Sequence, residues 1–534
     1  MKTLGLGLTL LLVAGCAQLK ASQGSPGKIS SDSFTPERAP SEMFGPNPVF
    51  ECRSPGLIRL LLNDLAEQRP AGALPVVADG QLCAAAESLL GWEKPETLSA
   101  NVVDFVAWHF GLPSPPKPRA VILNLPTEEL AEMAPLLNEV LGAFAKKATQ
   151  PRFGVATLRL GKKSTKVVLF MQEVLTEFAP VPQHLALAAV APLKGRVLSK
   201  GTGQVLVSDA QGRLEQSPIA PGGEFHADLH CGDKPGRIQV EVRSDQDGQN
   251  RTVLGFPVQC GAPVPLALAL PVAGQWPAQL AEHGKKVLEQ INAERVAVGL
   301  APLQWEEALA AVARTVAEGL RDDSLKGGVT TPLDPLPLLQ KAELMSPLVL
   351  VNPGQALTTE DAQREFSMSP PLRANFMNPE VTHVGIGVVQ GKDPGERSSV
   401  FVVELFIRQL TALDPVAVQR DLSQRIVDKR LAAHLPAFAK DPSLEAAATQ
   451  YAAALAASGG TLSNEKSNAF LTPLYKTFLS VNVLSGVRLD PLTIADESAV
   501  TGKGQRVGVG VAQGVHPAFG KNAVYAVVLI GVHR

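Results

Sequence analysis

Residues 284–314 read GKKVLEQINAERVAVGLAPLQWEEALAAVAR, and this stretch decides the fold. Val287, Leu288 and Ile291 recur at helical spacing, so Gly284–Arg295 is expected to form a helix with one apolar face. It runs into Gly299-Leu300-Ala301-Pro302-Leu303-Gln304-Trp305. A second helix then opens with Glu306 and Glu307 in its first turn, where the helix dipole favours negative charge. Leu309, Val312, Ala313, Val316 and Leu320 fall on one face of that helix.

Working outward, SPPLRANFMNP (Ser369–Pro379) leads into two apolar strands, His383–Val389 and Val400–Phe406. Together "INAERVAVGLAPLQWEEALAAVAR", "SPPLRANFMNP" and "THVGIGVV" resemble the CAP superfamily of cysteine-rich secretory, antigen 5 and pathogenesis-related proteins, in its bacterial SCP-like form. The resemblance covers roughly residues 281–408 and implies an α-β-α sandwich with a central antiparallel sheet. In members that bind metal, it also implies a cavity with two histidines supported by two acidic residues. Here the histidine positions fall at Val316 and Leu372, so both imidazoles are gone. Glu343 and Glu404 match the acidic positions, and Arg373 and Asn375 match the motif before the strands. These four residues are the candidate CAP groove. Val316 continues an apolar stripe, which reads as a former site turned into core, with Arg373 and Asn375 fixing the loop before the strand.

Two fainter copies flank this unit. Near the N-terminus, Leu74-Pro75 precedes Leu82–Ala86, and Phe153–Ala156 opens a strand pair closing at Val167–Phe170. Near the C-terminus, Leu435-Pro436 precedes Leu444–Ala448, and Val507–Val511 pairs with Val524–Ile530. The order and spacing match, so the chain reads as α+β: one well-preserved CAP-type α-β-α unit (279–409) and two degenerate ones (48–178 and 411–534).

Residues 182–262 change character. Short alternating runs separated by Asp209-Ala210-Gln211-Gly212, Pro221-Gly222-Gly223 and Asp247-Gly248 predict an all-β sandwich, with proline-bearing linkers at Ala179–Pro182 and Ala262–Pro277. Phe225, Ala227 and Leu229 share a strand face with Cys231; Leu254, Phe256 and Val258 share theirs with Cys260. His226, Asp228 and His230 alternate on the opposite face, a pattern able to offer two imidazoles and a carboxylate to zinc or copper. A solvated strand face is the plainer reading, so no metal and no cofactor is assigned.

At the N-terminus, Lys2 and the apolar run Leu4–Val13 precede Leu12-Val13-Ala14-Gly15-Cys16. This resembles a bacterial lipobox: a signal peptide over 1–15, lipidation of Cys16, and a flexible Ser/Pro/Gly-rich tether over 16–47. Apart from Cys16, the cysteines number four: Cys52, Cys83, Cys231 and Cys260. Three pairings are open. Their short separations favour Cys52–Cys83 and Cys231–Cys260, each contributing about 3–4 kcal/mol.

The 534 residues carry a net charge of −2, with 45% hydrophobic and 19% charged residues. This suits several folded domains and gives no basic patch for nucleic acid. No G-x-S-x-G, H-E-x-x-H, P-loop or C-x-x-C is present. The resulting expectation is a lipid-anchored protein of the bacterial cell envelope, outside the cytoplasm and at the outer membrane. It would bind a lipid, a peptidoglycan fragment or a protein without catalysis. Two alternatives stand beside it: an enzyme acting on cell-wall material or peptides through Glu343 and Glu404, and a structural envelope scaffold.

Overall fold

The computed structural model describes residues 26–534 apart from 31, 71, 94, 96–97, 114–118, 161–163, 200, 247–248, 271–275, 326–333, 393–397 and 489. The stretch read as a signal peptide (1–15) and Cys16 lie outside the described residues. The chain divides into two compact units. The first comprises the described residues up to Gln183 with Gly195–Ser199 and Val264–Leu270; the second comprises His184–Lys194, Lys200–Pro263 and Pro271–Arg534.

In the first unit the tether is shorter than expected. Ser33–Thr35 pairs on one side with Lys28–Ile29 and on the other with Leu268–Ala269, and Met43–Phe44 pairs with Val181–Pro182. Phe34 and Phe44 are fully buried. A Ser/Pro/Gly-rich composition hid these two aromatic anchors, and both stretches expected as linkers supply strand residues to this unit.

The same unit holds a four-stranded sheet in the order Val77–Ala78, Pro151–Arg159, Thr165–Glu173, Arg119–Leu125. Helices α1 (Pro55–Gln68) and α4 (Leu130–Ala145) pack on one face; α2 (Gly80–Ser88) and α3 (Ala100–His109) pack on the other. Cys52 bonds to Cys83 of α2 with Cα atoms 5.2 Å apart.

Two further four-stranded sheets in the second unit repeat that order. The central one runs Gln304–Trp305, His383–Lys392, Ser398–Ile407, Val349–Ala356. Its helices are α5 (His283–Ala297), α6 (Glu307–Leu325), α7 (Leu336–Lys341), α8 (Thr359–Met368) and α9 (Pro370–Met377). The C-terminal sheet runs Ala439–Lys440, Arg506–His516, Gly520–His533, Phe478–Arg488. Its helices are α10 (Pro415–Ala432), α11 (Pro442–Ala457), α12 (Asn464–Leu471) and α13 (Glu497–Thr501).

Three local devices recur with this topology. The short first strand is followed by an acid at the helix N-terminus: Asp79 accepts from the amides of Gln81 and Leu82, Glu306 from Ala308, and Asp441 from Ser443 and Leu444. The same three residues donate their own amides to the carbonyls of Phe153, Val384 and Val507. The next residue is a glycine in each case, Gly154, Gly385 or Gly508, where a Cβ would collide with the backbone of α2, α6 or α11. Missing side chains here let helix and strand backbones approach closely. Finally, the first helix of each set spaces two apolar residues and an arginine by four: Leu61-Leu65-Arg69, Val287-Ile291-Arg295 and Leu422-Ile426-Arg430.

Between the first and central sheets, Leu214–Pro218, Gly203–Ser208, Gly236–Gln246, Gln249–Cys260 and His184–Leu185 form a five-stranded sheet. Glu224–His230 lies in another sheet beside Val190–Val197. Inward residues alternate: Phe225, Ala227 and Leu229 are buried, as are Leu254, Phe256 and Val258. Cys231 bonds to Cys260, Cα to Cα 5.4 Å. Both disulfides follow the pairing that the short separations favoured.

Candidate functional site

The central unit is built around its first helix and the turn that follows. Gly299 takes φ +81° just beyond the helix end, a conformation that suits glycine, and its amide returns to the Val296 carbonyl. Asn292 clamps the turn from both sides: Nδ2 donates to the Leu303 carbonyl (3.0 Å) and Oδ1 accepts from the Leu303 amide (2.7 Å). Arg295 is 1% exposed. Its Nε donates to the Ala301 carbonyl (2.8 Å), and Nη1 donates to Phe376 (2.6 Å) and Asn378 (2.9 Å) at the end of α9. Burial lowers its pKa to about 10, which still leaves the guanidinium charged at neutral pH. A buried charge survives because Nε and Nη1 meet orphan carbonyls at helix and turn ends.

A second polar group lies inside the sheet. Glu404, on the strand Ser398–Ile407, faces Asn352 on Val349–Ala356, and both side chains are fully buried. Asn352 Nδ2 donates to Glu404 Oε2 (2.8 Å) and to the Leu372 carbonyl (3.0 Å); Asn375 Nδ2 donates to Asn352 Oδ1 (2.8 Å). Glu404 Oε1 is buried without a hydrogen-bond partner. Burial raises the pKa of this carboxyl to about 8, against the weaker lowering effect of the Asn352 bond, while the charge of Glu294 adds to the rise. At neutral pH Glu404 is therefore mostly a neutral acid sealed from solvent.

The two former histidine positions are apolar and packed. Val316 is fully buried on α6 among Leu320, Leu339 and Phe401; Leu372 packs against the opposite core with Phe366 and Phe376. The residues present do not fit the metal that the family cavity holds: hydrocarbon stands at the two positions that the resemblance gives to its imidazoles, and the remaining acid is a buried carboxyl bonded to Asn352. Glu343 does not converge with Glu404. It sits at φ +56° on an exposed turn after α7, with Oε2 3.7 Å from Lys521 Nζ. The pairing of these two acids, expected for an enzyme, is thus corrected: alignment placed them in one groove, whereas the chain places one in the core and the other at the surface.

Arg373 also differs from its expected role. SPPLRANFM forms helix α9 rather than a loop, and Arg373, 3% exposed, points into the β domain. Its Nη1 donates to Ser208 Oγ (3.1 Å) and to the Asp209 carbonyl (2.7 Å), and Nη2 donates to the Ala210 carbonyl (3.1 Å). Around it, Arg237 donates to the Ser367 carbonyl, Arg243 to Ser369 Oγ and Lys234 to the Val298 carbonyl. Glu294 balances the charge: it lies 3.8 Å from Arg373 Nε and accepts from Ser367 Oγ. Burial lowers the Arg373 pKa to about 10, and neighbouring Arg237 adds to the fall. The Asp209–Gly212 turn, read from sequence only as a strand connection, is the socket for this arginine.

His226, Asp228 and His230 share the exposed face of their strand, with His226 Nε2 3.6 Å from Asp228 Oδ1. Among the described residues no group of three or more His, Cys, Asp or Glu side chains is placed to hold a metal ion. Sequence reading missed Asn292, Arg295, Asn352 and the cationic ring of the β domain. Arg295 left a signal, since it extends the Val287-Ile291 stripe by one more helical step.

Residues 288–406 match the family described as CAP, the cysteine-rich secretory protein family. The central part of the chain is therefore similar to a CAP domain. It is similar to the uncharacterized protein YkwD of Bacillus subtilis (strain 168), at 29% identity over 116 residues, 21% of this chain and 45% of that protein. The chain thus spans less than half the length of this relative. Among solved structures it is similar to an outer surface protein of Borrelia burgdorferi (18% identity, 23% of this chain, 92% of that one, TM-score 0.20). It is also similar to a cysteine-rich secretory protein of Staphylococcus aureus subsp. aureus Mu50 (13% identity, 52% and 90%, TM-score 0.20).

Proposed function

We propose that this is a non-catalytic binding protein of the bacterial cell envelope, anchored by lipid at Cys16 and made of three CAP-type α-β-α units with a β-sandwich between the first and second. The sealed, neutral Glu404 carries the non-catalytic part of this reading. A carboxyl with no exposed surface, hydrogen-bonded to Asn352 within the sheet, has no route to a substrate. The three repeated devices (acid cap, strand glycine, helix-end arginine) support the reading of three related units. The extracytoplasmic setting is supported by the two disulfides, by the lipobox-like start and by the secretory family of the central domain. Lipids, peptidoglycan fragments and proteins are the ligand classes proposed.

Native mass spectrometry of the chain purified from an oxidising compartment tests the binding claim. A co-purifying mass that leaves on denaturation is expected, and its retention in Glu404→Gln separates binding from catalysis. A clean apo mass, with no retention on purified peptidoglycan or lipid vesicles and no protein partner on crosslinking, rejects it. For the anchor, Cys16→Ser is expected to leave the membrane fraction or keep its signal peptide. A variant still membrane-bound at the processed mass contradicts the lipid.

A further inference from the structure

The first unit has a cleft of about 440 Å³ beside α1. Pro55, Ile58, Leu62 and Ala78 give it apolar walls, and Glu51 and Arg59 line it with charge. Its origin is one position shared with the central unit. Ala78 precedes the Asp79 cap, pairs with Phe153 and packs on the α1 side of its sheet. Trp305 precedes the Glu306 cap, pairs with Val384 and packs on the α5 side of its own. The central unit thus holds an indole where the first holds a methyl group. Three contacts define what that place accepts. A Cβ on Gly284 would press against the ring. Lys285 Nζ lies 6.0 Å from the ring centre, and Trp305 Nε1 donates to Glu307 Oε2 (2.7 Å). Counted back from the stripes Leu61-Leu65-Arg69 and Val287-Ile291-Arg295, Ile58 stands for Gly284 and Arg59 for Lys285. Gly80 stands for Glu307; there the Phe50 carbonyl occupies the space of a Cβ, and the next residue, Glu51, brings the carboxylate instead. Glu51 and Arg59 are exposed, and among the described residues neither has a hydrogen-bond or ion-pair partner. The first unit therefore offers a cation, a carboxylate and an apolar slot without the ring.

We propose that this cleft binds the tryptophan side chain of a peptide, with the indole in the slot left by Ala78 and Arg59 over its face, as Lys285 lies over Trp305. The negative face of the ring attracts the guanidinium. Its N–H finds an acceptor in Glu51, and its hydrocarbon leaves water against Ile58 and Leu62. A volume of this size is in the range of small-ligand pockets. An aliphatic side chain would engage neither charged group. The site belongs to the first unit and owes nothing to Glu404 or the central groove.

The test titrates the full chain with N-acetyltryptophanamide bearing a fluorine on the indole, followed by fluorine NMR. A dissociation constant of about 1 mM or lower is expected, and N-acetylleucinamide at equal concentration is expected not to displace the probe. Arg59→Gln, at an exposed helix position, is expected to weaken binding about two- to five-fold with the melting temperature unchanged. Ala78→Trp combined with Ile58→Ala copies the central unit: the new ring fills the cleft, and probe binding is expected to be lost. Were that double variant to misfold, Arg59→Gln still decides the matter. A natural chain that binds no probe at about 10 mM overturns the proposal. So do displacement by the leucine analogue, undiminished binding in Arg59→Gln, or binding retained in a folded double variant.

Discussion

The central and C-terminal units share a frame and differ in what fills it. In the central sheet, Ile386, Glu404 and Asn352 lie side by side across three strands; in the C-terminal sheet the same rung is Val509, Val528 and Leu484. The first unit agrees with the latter, having Val155, Leu169 and Val121 there. A polar pair in the core costs desolvation that hydrocarbon avoids, so two of three units made the rung apolar. The frame itself did not change, because its devices bond backbone to side chain. Arg295 reaches Ala301 and the end of α9; Arg430 reaches Pro436 and Val500 of α13; Arg69 reaches Leu74 and the end of α4. Function-bearing side chains are free to drift, while groups that satisfy orphan carbonyls are not.

The strongest way to break the comparison is at the helix–strand contact. Gly387 and Gly510 lie against the α6 and α11 backbones, whereas the first unit carries a buried Ala156 at the matching position. Gly387→Val is expected to cost about 4 kcal/mol or more through forced separation of α6 from its sheet, read as loss of the central domain's denaturation transition. Ala156→Val should cost less, on the order of 1–3 kcal/mol; equal losses would show that the first unit packs its helix just as closely.

Next come the arginines. Arg295→Ala leaves three carbonyls without their donor and is expected to cost about 3 kcal/mol. Arg430→Ala should cost somewhat less, since it loses two carbonyl bonds and the stacking of its guanidinium over Phe438, 3.6 Å from the ring centre. Hydrogen exchange of the turns at 299–305 and 434–438 reads each locally, and unchanged protection in either turn would refute the shared role.

The polar rung gives a pH dependence absent from the outer units. The folded pKa of Glu404, about 8, stands above its ordinary 4.5, so the folded state holds a proton that the unfolded chain releases. Its contribution is complete below about pH 4.5 and is lost as pH rises through 8. The central domain should therefore lose roughly 1–3 kcal/mol between pH 5 and 8 from this group. Glu404→Gln is expected to flatten that slope, and a slope unchanged in the variant would place its origin elsewhere. Asn352→Leu with Glu404→Leu copies the outer units and should be neutral or stabilising, whereas Asn352→Leu alone should cost about 1–3 kcal/mol.

The smallest effect is expected at the joint. Arg373→Met should leave the CAP core intact while releasing the 208–212 turn, a change of about 1–2 kcal/mol visible as faster proteolysis or exchange there. An unaltered turn would show that the other cations hold the joint without it.

The first two helices of the central unit, the closing strand pairs of all three sheets and both disulfides could be read from apolar period, glycine spacing and cysteine phase, because each is a local pattern. Val316 and Leu372, where the resemblance puts the histidines of the family cavity, both stand in apolar packing. Where the retained acids stand could not be read. Glu343 and Glu404 look alike in the chain, yet one ends in solvent beside Lys521 and the other in hydrocarbon beside Asn352. Arg373 gave no hint that its partner is a turn more than 160 residues earlier. The N-terminal strands were hidden because a two- or three-residue strand gains its stability from the sheet it joins, not from its own composition. Sequence alone therefore determined the repeated frame, and the tertiary structure alone decided which polar side chains are buried, paired or free. Burial and pairing depend on distant segments meeting in space, and no local pattern records that.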